Sequence, residues 1–333
     1  MIKALANALH GRLARGPVWL ARAYISAVSL ISRNFLPQSL ARRIHNSVCG
    51  YIYGRRWQAM DFAPREVQMA AHTTVAFVPH LDGFEAEALF SRRFDYEAPV
   101  MKWLEANLTS RYRQVIEIGA NVGIYTVFFD ALFKQAATAG DELPPRILSF
   151  EPSPKAYGRL LDNLAANEAQ FVQSYQVAVG TESGFATFHE PVGHLTNGSF
   201  VREFSEIFGK NIVETIVVTL AAPALEQWLT PPRRTLMKID VEGFEPELLT
   251  ALRPVIERHH PDLLLEVLPF TVDALNRCPP PGGLRALSHH RPWNRSDAHP
   301  PGRQGSSGLA ADLAAQPDAV ATPLKSVELF ELE

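Results

Sequence analysis

Only two cysteines, Cys49 and Cys278, occur in the 333 residues. They are too few for a multi-bridge framework or a four-thiolate zinc site, so a reducing compartment, the cytoplasm, is the expected setting. Long apolar runs are missing too. The best one, residues 23–31 between Arg22 and Arg33, is about half the roughly 20 residues a membrane-spanning helix requires. No small-residue cleavage pattern follows it, as a secretory signal would demand. Acids are absent from residues 1–60, which hold nine cations: Lys3, Arg12, Arg15, Arg22, Arg33, Arg42, Arg43, Arg55 and Arg56. The rest of the chain sets the other 23 of its 32 basic side chains against all 35 acids. A basic, acid-free leader suits an anionic membrane surface, an acidic polymer or an organelle import signal. The plainer expectation, adopted here, is a helical extension packed on the domain; the alternative sets a cytoplasmic protein on the inner face of a membrane.

What is present is a core-forming chain, 47% hydrophobic, with room for one large α/β domain. Residues 1–60 read as helical, broken at Pro17 and Pro37, and residues 61–113 as a lead-in ending in a helix from residue 98 to 108. Beyond it, apolar runs at 114–119, 146–151, 171–179, 235–241 and 262–268 alternate with helical stretches, which predicts a parallel sheet covered on both faces. Runs 185–189 and 215–220 are extra strands or extended loops. Ser153-Pro154 is a helix start, serine capping and proline occupying the first turn, with Tyr157, Leu160, Leu161 and Leu164 as one apolar face. The α/β domain therefore spans 114–277. Residues 278–323 are crowded with Pro, Gly, His and Ser and show neither helical nor strand period. That irregular tail, 278–333, reads as disordered or as a reading-frame slip, with residues 327–332 a terminal strand.

In a doubly wound sheet, ligands sit beyond the carboxyl ends of the strands. The first such loop is Glu117-Ile118-Gly119-Ala120-Asn121-Val122-Gly123. Gly119 permits a sharp turn and Gly123 close packing of the next helix. A pyrophosphate site wants glycine at 121 as well; asparagine there, with Glu117 before the turn, favours a cationic nucleoside such as S-adenosylmethionine. Glu151 closes the second strand, where an acid accepts ribose hydroxyls. The third loop, Lys238-Ile239-Asp240-Val241-Glu242-Gly243-Phe244-Glu245, puts acids opposite. Such carboxylates deprotonate or orient a hydroxyl, stabilise a cation or bind a divalent ion. Glu245 is explained as an acid at a helix start; Asp240, ending an apolar strand, needs a task.

Together the three loops resemble the FkbM-type methyltransferases, whose pattern is an acid-x-G-A-N-x-G turn, then F-E-P, then K-x-D-V-E-G, all present here in order. The resemblance implies a class I methyltransferase (Rossmann-like) fold and S-adenosylmethionine-dependent O-methylation of a sugar, glycan, glycolipid or natural product. By motif position it gives Glu117, Gly119, Asn121, Gly123 and Glu151 to the cofactor and Asp240 and Glu242 to catalysis. It adds Ala178 near the adenine and His194, Asn197 and Ser199 as substrate contacts. Two departures stand out: Ala221 and Ala222 follow Thr219-Leu220 where an aspartate is usual, and the family's closing helix and hairpin have no evident source in residues 278–323. Metal dependence stays open, since two acids without clustered histidines fit a hard ion or none; His259-His260 and His289-His290 are expected at the surface. A degenerate non-catalytic member and a nicotinamide-binding oxidoreductase are the alternatives. An acidic domain behind the leader argues against nucleic acid.

Overall fold

The computed structural model describes residues 17–52, 62–81, 83–137, 143–229, 231, 233–268, 271–277, 284–291 and 325–332. Helices α1 (Val18–Phe35) and α2 (Gln38–Ile52) each begin directly behind a proline, Pro17 and Pro37, the place where a missing amide hydrogen matters least. Helix α1 turns Ala21, Ile25, Ser29 and Ser32 inward, a three-to-four-residue stripe that packs with Val48, Leu81, Leu89 and Phe90. A hairpin of β1 (Arg65–Gln68) and β2 (Thr74–Phe77), a short α3 (Glu87–Phe90) and α4 (Ala98–Arg111) complete the lead-in. Its Val67, Val75, Phe77, Met101, Leu104 and Leu108 belong to the same core as the sheet behind them.

The alternating segment follows: β3 (Gln114–Ile118), α5 (Ile124–Ala136), β4 (Arg146–Phe150), α6 (Pro154–Ala166) and β5 (Val172–Tyr175). An excursion comes next, through β6 (Ala178–Gly180), β7 (Gly184–Pro191), α7 (Arg202–Phe208) and β8 (Ile212–Ala221). The chain returns in β9 (Thr235–Ile239), α8 (Glu245–His259), β10 (Asp262–Val267), α9 (Val272–Arg277), β11 (Leu284–Arg291) and β12 (Lys325–Leu332). The main sheet has the order β11-β12-β10-β9-β3-β4-β5. Its strands β5, β4, β3, β9 and β10 are parallel, and β12 runs antiparallel to both of its neighbours.

Period-two alternation explains the two-sided burial. Val115, Ile147, Leu236 and Leu264 point to the side where Phe128, Phe129 and Phe133 of α5 pack. Ile116, Leu148, Met237 and Leu265 point to the other, against Leu248, Leu252 and Ile256 of α8. Each large side chain so buried contributes roughly 1.5–3 kcal/mol. This is the doubly wound α/β sheet expected from the sequence. The strand order reverses at β3: β4 and β5 lie on one side of it, β9 and β10 on the other.

Three expectations need correction. The run 171–179 is two strands, β5 at the edge of the main sheet and β6 in a separate sheet of order β6-β8-β7; the break falls at Gln176-Val177, where the chain leaves one sheet for the other. Leu161 is exposed on α6, whose buried residues are Ala156, Arg159, Leu160 and Asn163. Half of the inward face is polar: Arg159 reaches Glu85 at 3.0 Å, while Asn163 donates to Val122 O and accepts from Val78 N. Residues 284–291, assigned to the irregular tail, form β11, which with β12 closes the sheet beyond β10. The closing helix and hairpin thus come from α9, β11 and β12. Strand β11 carries no apolar alternation of its own, and its place is set by eight Cα partners in β12. Residues 278–283 and 292–324, where the compositional break lies, fall outside the described residues.

Candidate functional site

The crevice at the reversal point, beyond the carboxyl ends of β3, β4 and β9, is where ligands of doubly wound sheets bind, and a cavity lies there. About 560 Å³ of space, part of it open solvent, lies between its walls. Its floor is the first turn. Gly119 (φ +83°) donates its amide to Phe150 O, as does Ala120, each at 3.0 Å. The turn is pressed against the end of β9: a Cβ on Gly119 would lie 1.8 Å from Asp240 O. No side chain fits there, so β3 and β9 can end side by side only with glycine at 119.

Asn121 and Glu242 are both left-handed, at φ +52°, a conformation uncommon for residues with a Cβ. They face the cavity from its two sides. The Asn121 amide donates to Glu151 Oε2 at 2.7 Å, and the Ser153 amide to Glu151 Oε1 at 2.8 Å. Glu151 is thereby fixed at the end of β4 in the cavity wall. Each of its oxygens keeps acceptor capacity for a further donor. Across the crevice, Glu245 caps the loop after β9, accepting from the amides of Val241 and Gly243 at 3.0 Å. That arrangement is the helix-start role read from the sequence, and it holds Asp240 and Glu242 toward the cavity.

Behind the cavity lies a charged layer. Lys238, buried on β9, places Nζ 3.0 Å from Asp240 Oδ2 and 4.6 Å from the centre of the Tyr125 ring. Burial works to lower its pKa, but Asp240 and Glu117 outweigh this and raise it. Glu117 accepts from Thr126 Oγ1 at 2.6 Å and Ser149 Oγ at 3.1 Å through Oε2. Its Oε1 has no hydrogen-bond partner among the described residues, and burial pushes the carboxyl up to about 7. Burial raises Glu151 and Glu245 to about 7 as well.

These shifts fix a pH dependence. A carboxyl whose folded pKa is raised contributes stability that is complete below the unfolded value, near 4.5, and is lost as pH climbs through about 7. For Glu117 the shift is worth on the order of 3 kcal/mol. Thermal melts should therefore fall between pH 5 and 8, and Glu117→Gln should make that fall distinctly shallower. An identical pH profile for the variant would show that Glu117 ionises normally.

The sequence-assigned residues divide into two groups. Gly119, Asn121, Glu151, Ala178, Asp240 and Glu242 line the cavity. Glu117, Gly123, His194, Asn197 and Ser199 do not. Glu117 sits one layer below. Gly123 (φ +86°) starts α5 and serves packing, since a Cβ would meet Leu160 Cδ1 at 2.4 Å. In the loop after β7 the residues that line the cavity are Leu195, Thr196, Gly198 and Phe200. A 3-10 turn at Leu195–Asn197 sets this register, with Asn121 Nδ2 donating to Thr196 O at 3.1 Å and Ser199 Oγ to Glu242 O at 2.7 Å. His194 packs on Phe208 with ring centres 5.9 Å apart.

Three residues had escaped sequence reasoning. Phe188 and Phe200, edge-to-face at 5.3 Å, make an aromatic wall; only the apolar 185–189 run hinted at the first. Glu266, buried on β10, brings a carboxylate within 4.8 Å of those of Asp240 and Glu242. Three carboxylates so placed are able to hold a hard divalent ion, in competition with Lys238 for Asp240. Its signal was an acid in the apolar run 262–268. The histidines of the pair at 259–260 take other tasks: His259 Nε2 meets Glu226 at 3.0 Å and His260 ends α8. The side chains of His289 and His290 lie outside the described residues.

A parallel sheet with its cavity at the crossover, bounded by acids and lacking a third turn glycine, defines a nucleoside-binding α/β enzyme rather than a dinucleotide-binding one. The model of the FkbM methyltransferase domain matches residues 117–293, more than half of the chain. The chain belongs to that methyltransferase family.

Solved structures show similarity at low identity. An FkbM methyltransferase from Methylobacillus flagellatus KT is 13% identical over 66% of this chain and 44% of that one, with a TM-score of 0.36. This chain thus spans under half of that protein's length. An S-adenosylmethionine-dependent methyltransferase from Agrobacterium tumefaciens is 11% identical over 84% and 74%, TM-score 0.42. The O-methyltransferase TomG from Streptomyces achromogenes is 11% identical over 71% and 80%, TM-score 0.35. Among curated proteins no relative matches.

Proposed function

We propose that the protein methylates a hydroxyl oxygen, on a sugar, glycan, glycolipid or natural product, using S-adenosylmethionine and Asp240 as base. The observation that carries this reading is the composition of the cavity: Glu151 on one side, Asp240 and Glu242 on the other, and Ile118, Ala178, Val179, Phe188 and Phe200 between them. Carboxylates with an apolar and aromatic surface suit a nucleoside that carries positive charge, so the residues fit the cofactor.

In the proposed arrangement Glu151 holds the ribose hydroxyls, the backbone at Gly119 and Asn121 lies under the cofactor, and Ala178 and Val179 border the adenine. Bound S-adenosylmethionine supplies an electrophilic sulfonium methyl, given up as the acceptor oxygen bonds to it. Asp240 orients the hydroxyl and takes its proton, while Lys238 at 3.0 Å holds that carboxylate in place. Glu242, held by the left-handed turn, adds negative charge beside the methyl donor. Phe188 and Phe200 exclude water from the transfer line. Glu266 makes a metal-assisted variant possible in which the three carboxylates hold the ion that binds the acceptor hydroxyl.

Calorimetric titration with S-adenosylmethionine and with a nicotinamide dinucleotide comes first. Binding of the former alone is expected; preference for the latter would overturn the cofactor assignment. Incubation of labelled S-adenosylmethionine with fractionated glycans, lipids and small metabolites should then place label in alkali-stable ether linkage. Cofactor binding without transfer to any fraction would favour a non-catalytic member of the family, and label on nitrogen would reject the hydroxyl target. Loss of transfer on chelation, restored by a divalent ion, would assign the carboxylate triad to a metal.

A further inference from the structure

Helix α1 is apolar on two opposite faces. The inner one is tied down by more than burial of Ala21 and Ile25: Ser29 Oγ donates to Leu89 O, and Ser32 Oγ to Phe90 O at 2.7 Å. Arg33 donates to Ser91 O and Glu66 O, both at 2.8 Å. The helix is therefore a fixed part of the domain surface. Its outer face is exposed: Trp19 69%, Leu30 63%, Ile31 53% and Leu20 39%. Trp19 and Leu30, like Leu20 and Ile31, stand eleven residues apart, about three helical turns. With exposed Ala23 and Ala27 between them, they form one continuous stripe. Phe35, 77% exposed, extends it at the carboxyl end.

An apolar stripe this size on water needs a cover, and charge selects which one. Residues 1–60 hold nine cations and no acid. A second copy of the chain docking face to face would bring together two leaders that each carry nine cations and no acid. A nucleic acid would meet the cations but gain nothing from Trp19, Leu30 and Ile31, and would face the net-acidic remainder. An anionic bilayer answers both features at once: phosphate headgroups meet leader cations such as the exposed Arg22 and Arg43, and the stripe enters the acyl boundary with the indole at headgroup level. No helix among the described residues is long and apolar enough to cross a membrane, so the contact is peripheral.

We infer that α1 is a membrane-docking element that seats the protein on an anionic lipid surface through the Trp19, Leu20, Leu30 and Ile31 stripe. This concerns a surface apart from the methyl-transfer cavity and holds whatever the acceptor is.

The full chain should sediment with vesicles of phosphatidylglycerol and phosphatidylcholine, and far less with phosphatidylcholine alone. High salt should weaken the binding, because exposed charges are screened. A Trp19→Ser, Leu30→Ser double variant should bind the anionic vesicles roughly tenfold or more weakly. It should keep its thermal melt and its S-adenosylmethionine titration, since neither side chain touches the inner face or the cavity. Failure of the wild type to bind anionic vesicles would overturn the inference, as would undiminished binding by a correctly folded variant. A wild-type dimer in ultracentrifugation that the same variant converts to monomer would assign the stripe to self-association instead.

Discussion

Asp240→Asn is expected to lower kcat by roughly 10²–10⁴-fold with S-adenosylmethionine affinity nearly unchanged. The amide keeps the shape of the side chain and can accept from Lys238 Nζ, now 3.0 Å from Oδ2, but it takes no proton from the acceptor. The backbone of residue 240, which donates to Ile118 O at 3.0 Å and fits against Gly119, is untouched. The cofactor side of the cavity should therefore survive. Single-turnover transfer measured with saturating cofactor separates the two effects. Wild-type turnover in this variant would remove Asp240 from catalysis, whereas loss of cofactor binding in step with kcat would give it a cofactor role.

Lys238→Met should be the most damaging change to stability near the site. The lysine is buried, with Asp240 in contact and Glu117 close enough to raise its pKa. Methionine fills much of the volume but leaves two carboxyl groups without their cation, a loss of about 3–5 kcal/mol. That corresponds to a melting temperature lower by roughly 10 °C. The sign of its pH dependence follows from Glu117, whose carboxyl titrates near 7 in the fold. At pH 5 it carries its proton and needs no counter-charge; at pH 8 it does, so the variant's deficit should be larger at pH 8. A deficit equal at both values would mean that Lys238 serves Asp240 alone. Unchanged melting would mean that the buried cation is dispensable.

Lys238 illustrates what the sequence withheld. Its place in the K-x-D-V-E-G loop is plain in the sequence, yet nothing there says that it points behind the cavity, over Tyr125, rather than into it. The facing of Glu117 was hidden for a related reason. In β3, residues 115 and 117 face one side and 116 and 118 the other, so an acid two residues before the turn belongs to the core layer. In the loop at 194–199 the neighbours of the assigned residues line the cavity, because a 3-10 turn rotates successive side chains by about a third of a circle. Spacing identifies such a segment but not its facing.

Residues 278–333 show the opposite limitation. Residues 284–291 lack the alternation by which strands are recognised, and their strand exists through its pairing with β12. Backbone hydrogen bonding recruits segments by proximity as well as by pattern.

The sequence by itself determined the parallel sheet, through apolar runs long enough to be buried on both faces, and the three loops at its edge. It also determined the family, because the acid-x-G-A-N-x-G, F-E-P and K-x-D-V-E-G elements are local and their order survives any error in the folding between them. Only the tertiary structure decided which acids lie together: strands paired across the crossover bring Glu151, Asp240 and Glu242 to one cavity and Glu266 to within 4.8 Å of the latter two. It also decided that α1 is anchored on one apolar face and bare on the other. Hydropathy records that both faces are apolar, whereas only packing assigns one of them to the core.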